Sequence, residues 1–423
     1  MALQDYRDDC TDCSRCSYCK WIPLDHIKSA RFARACPSIE YRSFQAYSLA
    51  GRLAVGLSLL EGRIDYNDEL KDIVWECQMD GACDVSDKIC RYNIRGLDVM
   101  REMRFKLVED GQTLPQHKPY IDNLHEEQNM VMEPKADRGK WADGLDVKNL
   151  TKEKARVVFH AGCRYSYDKG LQETARAAVT LLRDAGVDIG IMGKNESCCG
   201  GRAYQWGYRK ELNASARRNA RAWIKAGVKT VVTPCAECYY TFNRLYRETG
   251  LSLEVVHVTE YIDRLIRKRK IKLTKSVPLT VTYHDPCHLG RLGEPYVPWQ
   301  GTRKKIYGQI PVWKPSRPRY TGARGVYVAP RNVLSSIPGL TLIEMERIRE
   351  YAWCCGAGGG VLEAYPDFAA WTAAERLHEA KATGAEAMVS ACPWCERNFA
   401  DTAESQDEKV QIYDIVDLVQ MAL

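Results

Sequence analysis

Two adjacent cysteines followed by glycine occur twice in this chain, at Ser197-Cys198-Cys199-Gly200-Gly201 and at Trp353-Cys354-Cys355-Gly356-Ala357-Gly358-Gly359-Gly360. A disulfide between neighbouring cysteines strains the Cβ–S–S–Cβ geometry. Two neighbouring thiolates can instead bind two metal atoms of one cluster. Glycine beside them lets the backbone pass close to a bulky inorganic core. The pattern therefore points to iron–sulfur chemistry.

The surroundings of the two pairs match as well. Val157-Val158-Phe159-His160-Ala161-Gly162-Cys163 precedes the first, and Val281-Thr282-Tyr283-His284-Asp285-Pro286-Cys287 precedes the second. Cys235-Ala236-Glu237-Cys238 and Cys392-Pro393-Trp394-Cys395 follow, after gaps of 35 and 36 residues. Each copy thus carries five cysteines in one order, which defines an internal repeat.

The 18 cysteines stand in a chain of 423 residues with ordinary globular composition, 27% charged and a net charge of +6. Residues 1–9 show no secretory signal, and no apolar run reaches the roughly 18 residues that span a bilayer. The expected location is the cytoplasm, with membrane association only through partners. Disulfides are disfavoured there, so the cysteines are expected to bind metal.

Residues 10–36 hold Cys10, Cys13, Cys16, Cys19 and Cys36-Pro37. The familiar cubane run is C-x2-C-x2-C-x3-C-P, its last cysteine serving the other of two clusters. Here the gap to Cys36 is stretched to 16 residues. A second run follows as Cys77-x2-Asp80-x2-Cys83-x3-Asp87, with Cys90 just beyond; aspartate twice replaces cysteine. Counting Cys10 and Cys90 restores eight cysteines, the number two four-iron cubanes require. Asp80 is a candidate oxygen ligand. The apolar spacing between Ile39 and Glu76 is helical, so this region is expected to be an α-helical ferredoxin module. Structural zinc sites are the alternative.

A helix is expected up to Val108. The cysteine-free, proline-containing and charged stretch to about Leu150 reads as an extended linker over the surface, without chemistry of its own. In the first repeat, strands are expected at 155–159, 187–191 and 228–232, and helices at 170–185 and 204–226. Such alternation implies a parallel sheet with ligands at the carboxyl ends of its strands. The fold class is therefore α/β with two repeated parallel-sheet domains and a helical ferredoxin module. The expected division is 1–110 for the ferredoxin, 111–153 for the linker, and 154–274 and 275–423 for the two repeats.

The basic run Arg264 to Lys272 reads as an inter-domain linker; nothing suggests nucleic acid. Between Cys287 and Cys354 the second repeat carries a long insertion. From Arg291 to Arg331 it holds nine lysines or arginines, one acid (Glu294), and the aromatics Tyr296, Trp299, Tyr307, Trp313, Tyr320 and Tyr327. It is either ordinary exposed surface or a docking face for an acidic partner or anionic substrate. No Gly-x-Gly-x-x-Gly opens a helix after a strand, so a flavin or nicotinamide site is expected on a partner. Gly356 to Gly360 reads as close packing against a cluster. His160 and His284 read as hydrogen-bond donors near the sulfurs.

These motifs, with Tyr283-His284-Asp285-Pro286-Cys287-His288-Leu289-Gly290-Arg291 and Cys392-Pro393-Trp394-Cys395 foremost, resemble the CCG-domain proteins related to heterodisulfide reductase. A helical ferredoxin followed by two CCG repeats resembles the D subunit and the iron–sulfur subunits of glycolate, lactate and glycerol-3-phosphate dehydrogenases. Asp80, Asp87, Cys10 and the stretched gap resemble the D subunit of the tungsten-type benzoyl-CoA reductase complex. The resemblance implies two [4Fe–4S] cubanes in the N-terminal domain and one four-iron cluster, non-cubane, in each repeat, with zinc in one repeat as the alternative. It also implies an electron-transfer subunit in a complex with flavin or iron–sulfur partners, or, alternatively, a subunit that itself reduces a disulfide.

Overall fold

A computed structural model of the protein describes residues 2–85, 90, 92–295, 297 and 299–423; Asp87 and Tyr296 lie outside the described residues. Its first sheet contains β1 (Lys148–Asn149), β2 (Val157–Phe159), β3 (Ile189–Ile191), β4 (Thr230–Thr233) and β5 (Glu254–His257). Val157, Val158 and Phe159 are apolar in succession and all buried, as the centre of a doubly covered parallel sheet requires. Later in the chain come β6 (Thr280–Tyr283), β7 (Thr302–Ile306), β8 (Ile310–Lys314), β9 (Thr341–Leu342), β10 (Ala387–Ser390) and β11 (Gln411–Asp414).

The first sheet runs β1-β3-β2-β4-β5 and the second β11-β10-β6-β9, and every pairing in both is parallel. Leaving aside β1, the two orders coincide: β3-β2-β4-β5 corresponds to β9-β6-β10-β11. The duplication read in the sequence is thus a duplication of topology. Even the last helix of each copy begins alike. His257 and Asp414 cap Val258–Arg267 and Ile415–Ala422, with Glu260 and Asp417 completing a capping box in each.

The N-terminal module is helical, with Arg7–Asp12, Pro37–Arg42, Leu49–Leu60, Asp68–Trp75, Ala82–Val85 and Gly96–Glu109. Ser48 and Asn67 cap the two helices of the spacer between the cysteine runs.

Four features differ from the sequence reading. The helix expected over 204–226 is interrupted: Gly201–Gln205 ends, and Arg209–Lys225 begins after Trp206-Gly207-Tyr208. Gly207 has φ +89, and a Cβ there would lie 2.8 Å from the carbonyl carbon of Arg104. The stretch 111–153 forms the helix Lys118–Glu126 and the edge strand β1, and it buries Ile121, Leu124, Met130 and Trp141. Arg264–Arg267 belongs to the last turn of a helix, and the basic run contains buried Ile271.

The fourth difference is the basic insertion, whose β7–β8 hairpin is antiparallel. Arg303 pairs with Asp8 and Asp12, and Lys305 with Asp12 at 2.8 Å. Arg317 pairs with Asp9 at 2.9 Å, and Arg95 Nη2 donates to Pro318 O at 3.0 Å. Much of the positive charge is therefore answered inside the chain, where it clasps the start of the helical module. One apolar core runs without a break through the helical module and both repeats.

Candidate metal centres

In the first repeat, Cys163 follows β2, Cys198 and Cys199 follow β3, and Cys235 and Cys238 follow β4. The turns after three neighbouring parallel strands open on one edge of the sheet, which gathers the five thiols. Their side chains touch in series: Cys163 with Cys198, Cys198 with Cys199, Cys199 with Cys238, and Cys238 with Cys235. Gly162 makes room for this, since a Cβ at its φ of +79 would stand 3.0 Å from Cys238 Sγ.

The second repeat copies the series as Cys287, Cys354, Cys355, Cys395 and Cys392. Cys235 and Cys392 then contact each other, so the two series join end to end. All ten residues are buried, none more than 9% exposed, and all are free thiols. Hydrogen bonds from Cys198 and Cys238 pull the central thiol Cys199 down to about 5. Those from Cys354 and Cys395 bring Cys355 to about 6. Burial opposes ionisation of Cys392, but hydrogen bonds involving Cys235, Cys395 and the local backbone hold it well below the usual thiol range. The other seven thiols are raised by neighbouring thiols and burial, so the hydrogen-bonded series places thiolate at Cys199, Cys355 and Cys392.

Backbone and side-chain donors surround the sulfurs. Gly200 N–H donates to Cys198 Sγ at 3.3 Å, Gly201 N–H to Cys199 Sγ at 3.5 Å, and Gly356 N–H to Cys354 Sγ at 3.4 Å. Arg138 donates to Cys163 Sγ at 3.3 Å and is held at 2.8 Å by Glu196, which also accepts from Ala161 N–H and Gly162 N–H. His288 Nδ1 lies 3.4 Å from Cys287 Sγ.

His284 is buried, and burial lowers its pKa to about 3, so the ring is neutral. Arg376 Nε donates to its Nδ1 at 3.2 Å, which leaves the proton on Nε2. Nε2 has no partner among the described residues, and a ring nitrogen of His284 lies with the Cys355 and Cys395 sulfurs in one group within 4.8 Å. His160 is likewise buried and neutral, its pKa lowered to about 4, with Nδ1 3.7 Å from Glu196.

The glycines after the second cysteine pair serve a different purpose from the expected one. Cβ atoms at Gly358 and Gly359 would meet Gln78 O at 2.6 Å and the Gln78 carbonyl carbon at 2.8 Å, and one at Gly360 would meet His117. They admit the helical module's backbone at 77–78, which brings Cys77 up against the second repeat.

In the helical module, burial foremost, and neighbouring thiols with it, raise the pKa values of Cys19, Cys36 and Cys83; Cys77 acts on Cys36 and Cys83, and Cys36, Cys13 and Cys16 act on Cys19. Cys10 responds to Cys13 in the same way, and burial pushes it up to about 12. Cys16 is exposed, and Cys90 sits beyond residues 86–89, which are not described. Asp80, the candidate oxygen ligand, is engaged by protein groups: Oδ2 pairs with Arg291 at 2.8 Å, Oδ1 accepts from Ala82 N–H, and its carbonyl accepts from Arg291 Nε. Arg291, on the second repeat, thereby ties the two modules together beside Cys287 and Cys354.

Sequence reasoning missed Arg138 and Glu196. Arg138 lies in a stretch read as linker, and no fixed spacing relates it to Cys163. Glu196 stands two residues before Cys198, at the position that Ala352 occupies in the second copy.

Buried free thiols, amide N–H groups aimed at sulfur and a neutral histidine beside Cys355 and Cys395 make a set that suits iron–sulfur clusters. Comparison with known proteins agrees on the class. The cysteine-rich domain family, CCG, matches residues 157–243 and 319–400, which defines a CCG-type cysteine-rich protein. The D subunit of the dihydromethanophenazine:CoB–CoM heterodisulfide reductase of Methanosarcina mazei is 33% identical, over 98% of this chain and 94% of its own length. The chain therefore belongs to the family of heterodisulfide reductase D subunits. The probable iron-sulfur-binding oxidoreductase FadF of Bacillus subtilis is 26% identical over 92% of the chain and 53% of its own length. The EtfAB:quinone oxidoreductase of Syntrophomonas wolfei is 27% identical over 86% and 48%. No described helix is long and apolar enough to cross a membrane.

Proposed function

We propose that the chain is an iron–sulfur electron-transfer subunit of a heterodisulfide reductase-like complex. The ferredoxin cysteines would hold two [4Fe–4S] cubanes, and each CCG repeat one further four-iron cluster, zinc in one repeat being the alternative. When bound, such clusters supply one-electron transfer without making or breaking substrate bonds. The chain's part is to fix where the sulfurs stand, shield them from water and aim hydrogen bonds at them.

The observation that carries this reading is the placing of the cysteine groups side by side. Cys77 abuts the glycine turn of the second repeat, and Cys392 of that repeat touches Cys235 of the first. A row of sites of this kind suits relay between two partners. The Cys19–Cys36–Cys77–Cys83 group supports one cubane, and Cys10, Cys13, Cys16 and Cys90 remain for the other. A flavin-bearing subunit is the fitting partner, because the sequence offers no nucleotide-binding glycine motif. The aspartate-substituted cysteine run and early Cys10 support a setting in a benzoyl-CoA reductase-type complex.

The named activity of the Methanosarcina relatives favours a second reading, in which the joined CCG sites reduce a disulfide: R–S–S–R + 2e⁻ + 2H⁺ → 2 RSH. Anaerobic protein reduced by a one-electron donor and then mixed with a small disulfide separates the two. Electron transfer alone gives reversible reduction and no thiol. Catalytic release of thiol by the isolated chain would establish the second reading instead.

A further inference from the structure

Buried cations are normally neutralised by carboxylates, because an unpaired charge in the interior is costly. Most of the deeply buried arginines here obey this. Arg138 pairs with Glu196, Arg202 with Glu363, Arg291 with Asp80, and Arg347 and Arg376 with Glu379.

Arg52 and Arg104, 2% and 0% exposed, make no ion pair among the described residues. Arg52 donates to Ile73 O at 2.8 Å and Glu76 O at 2.5 Å, while the Glu76 carboxylate is taken by Arg42. Arg104 donates to Val74 O, Trp75 O and Cys77 O at 3.1, 3.0 and 2.8 Å. Its other nitrogen reaches Gln205 O at 2.9 Å in the first repeat and Gly359 O at 2.6 Å in the second. Carbonyls satisfy these donors but carry no net charge. Both guanidiniums converge on residues 73–77, the segment that ends in Cys77.

We propose that Arg52 and Arg104 are the counter-cations of the metal site built from Cys19, Cys36, Cys77 and Cys83, and that they raise its redox potential. This rests on the reading of those cysteines as cluster ligands. Four thiolates around a dipositive four-iron core leave two net negative charges, which the two arginines balance; reduction adds a third negative charge. Nearby fixed positive charge stabilises the reduced form in a medium of low dielectric. Both arginines lie beneath the surface, where water cannot screen that attraction.

The test is a mediated potentiometric titration of the full, anaerobically loaded chain, followed by electron paramagnetic resonance, with iron counted in every sample. Arg104→Gln and Arg52→Gln are each expected to lower the potential of the same single cluster, the double variant further, with the other clusters unmoved. Arg104→Lys keeps the charge and is expected to stay near the parent potential. Fully loaded Gln variants with the parent potential would overturn the proposal. If Arg104→Gln does not load, Arg52→Gln and Arg104→Lys decide: parent potential in the first, or an equal fall in both, overturns it. A parent protein lacking the iron of two ferredoxin-type clusters would refute the underlying ligand reading instead.

Discussion

Cys235 and Cys392, 157 positions apart in the chain, touch at the point where the two repeats meet. Each is the first cysteine of its Cys-x-x-Cys, so the duplicated motif brings its own copies together. The repeats also share one apolar core. Their metal sites should therefore be coupled. Cys235→Ser is expected to remove about four iron atoms and also alter the spectrum of the second repeat's site. Cys163→Ser, at the far end of the series, should alter the first site alone. Iron analysis with low-temperature paramagnetic resonance checks this; identical effects of the two variants on the second site would contradict it.

Gly359 has φ +63 and lies against the backbone of Cys77 and Gln78. Gly359→Ala adds backbone strain and a clash that only separation of the helical module from the second repeat relieves. A loss of roughly 2 kcal/mol or more is expected in chemical denaturation. Reduction of the CCG sites through the helical module should slow, with iron content retained.

Arg138 and Glu196 form a buried ion pair beside Cys163. Arg138→Ala leaves an uncompensated carboxylate, for which a cost of about 3–5 kcal/mol is typical. Denaturation midpoints and iron content should show a destabilised protein depleted at the first repeat. Arg138→Lys should recover part of the stability.

The clasp made by the insertion predicts a modest effect. Arg303→Ser with Lys305→Ser removes pairs to Asp8 and Asp12 that are worth about 1 kcal/mol or less each where exposed. Limited proteolysis should cut the first 20 or so residues faster, and more salt should bring the parent closer to the variant. An unchanged cleavage rate would mean that the pairs do not hold the module.

Asp414 meets Glu396 in the interior, and burial together with the charge of Asp417 raises Asp414 to about 7. Glu396 is raised as well, by burial and by Asp414. An acid whose folded-state pKa is raised binds protons more tightly folded than unfolded, so stability falls as pH climbs from the unfolded value near 4 toward about 7. Stability should accordingly be lower at pH 8 than at pH 5.5. Asp414→Asn should flatten that difference in denaturation curves taken across the range.

Much of the architecture was legible in the chain. Strands before each cysteine group announce themselves by runs such as Val157-Val158-Phe159, and the repeat spacing fixes which turns converge. Less was legible where long-range packing decides. The fourth strand of each copy, Glu254–His257 and Gln411–Asp414, is short and carries no cysteine motif. The break at Gly207 exists because Arg104, about a hundred residues earlier, presses against it. Asp80 occupies a cysteine position by spacing, but its role is set by Arg291, 211 residues later. Arg138 carries no local signal at all, because its partner Cys163 is met only in the fold.

The central claim is that all four sulfur sites hold iron. Iron, zinc and acid-labile sulfide measured together on anaerobically prepared full-length protein test it most directly. The account predicts ~16 iron atoms per chain, four per site, with matching sulfide and no stoichiometric zinc. About half that iron, with one or two zinc ions per chain, would contradict it and leave the CCG repeats as structural zinc domains.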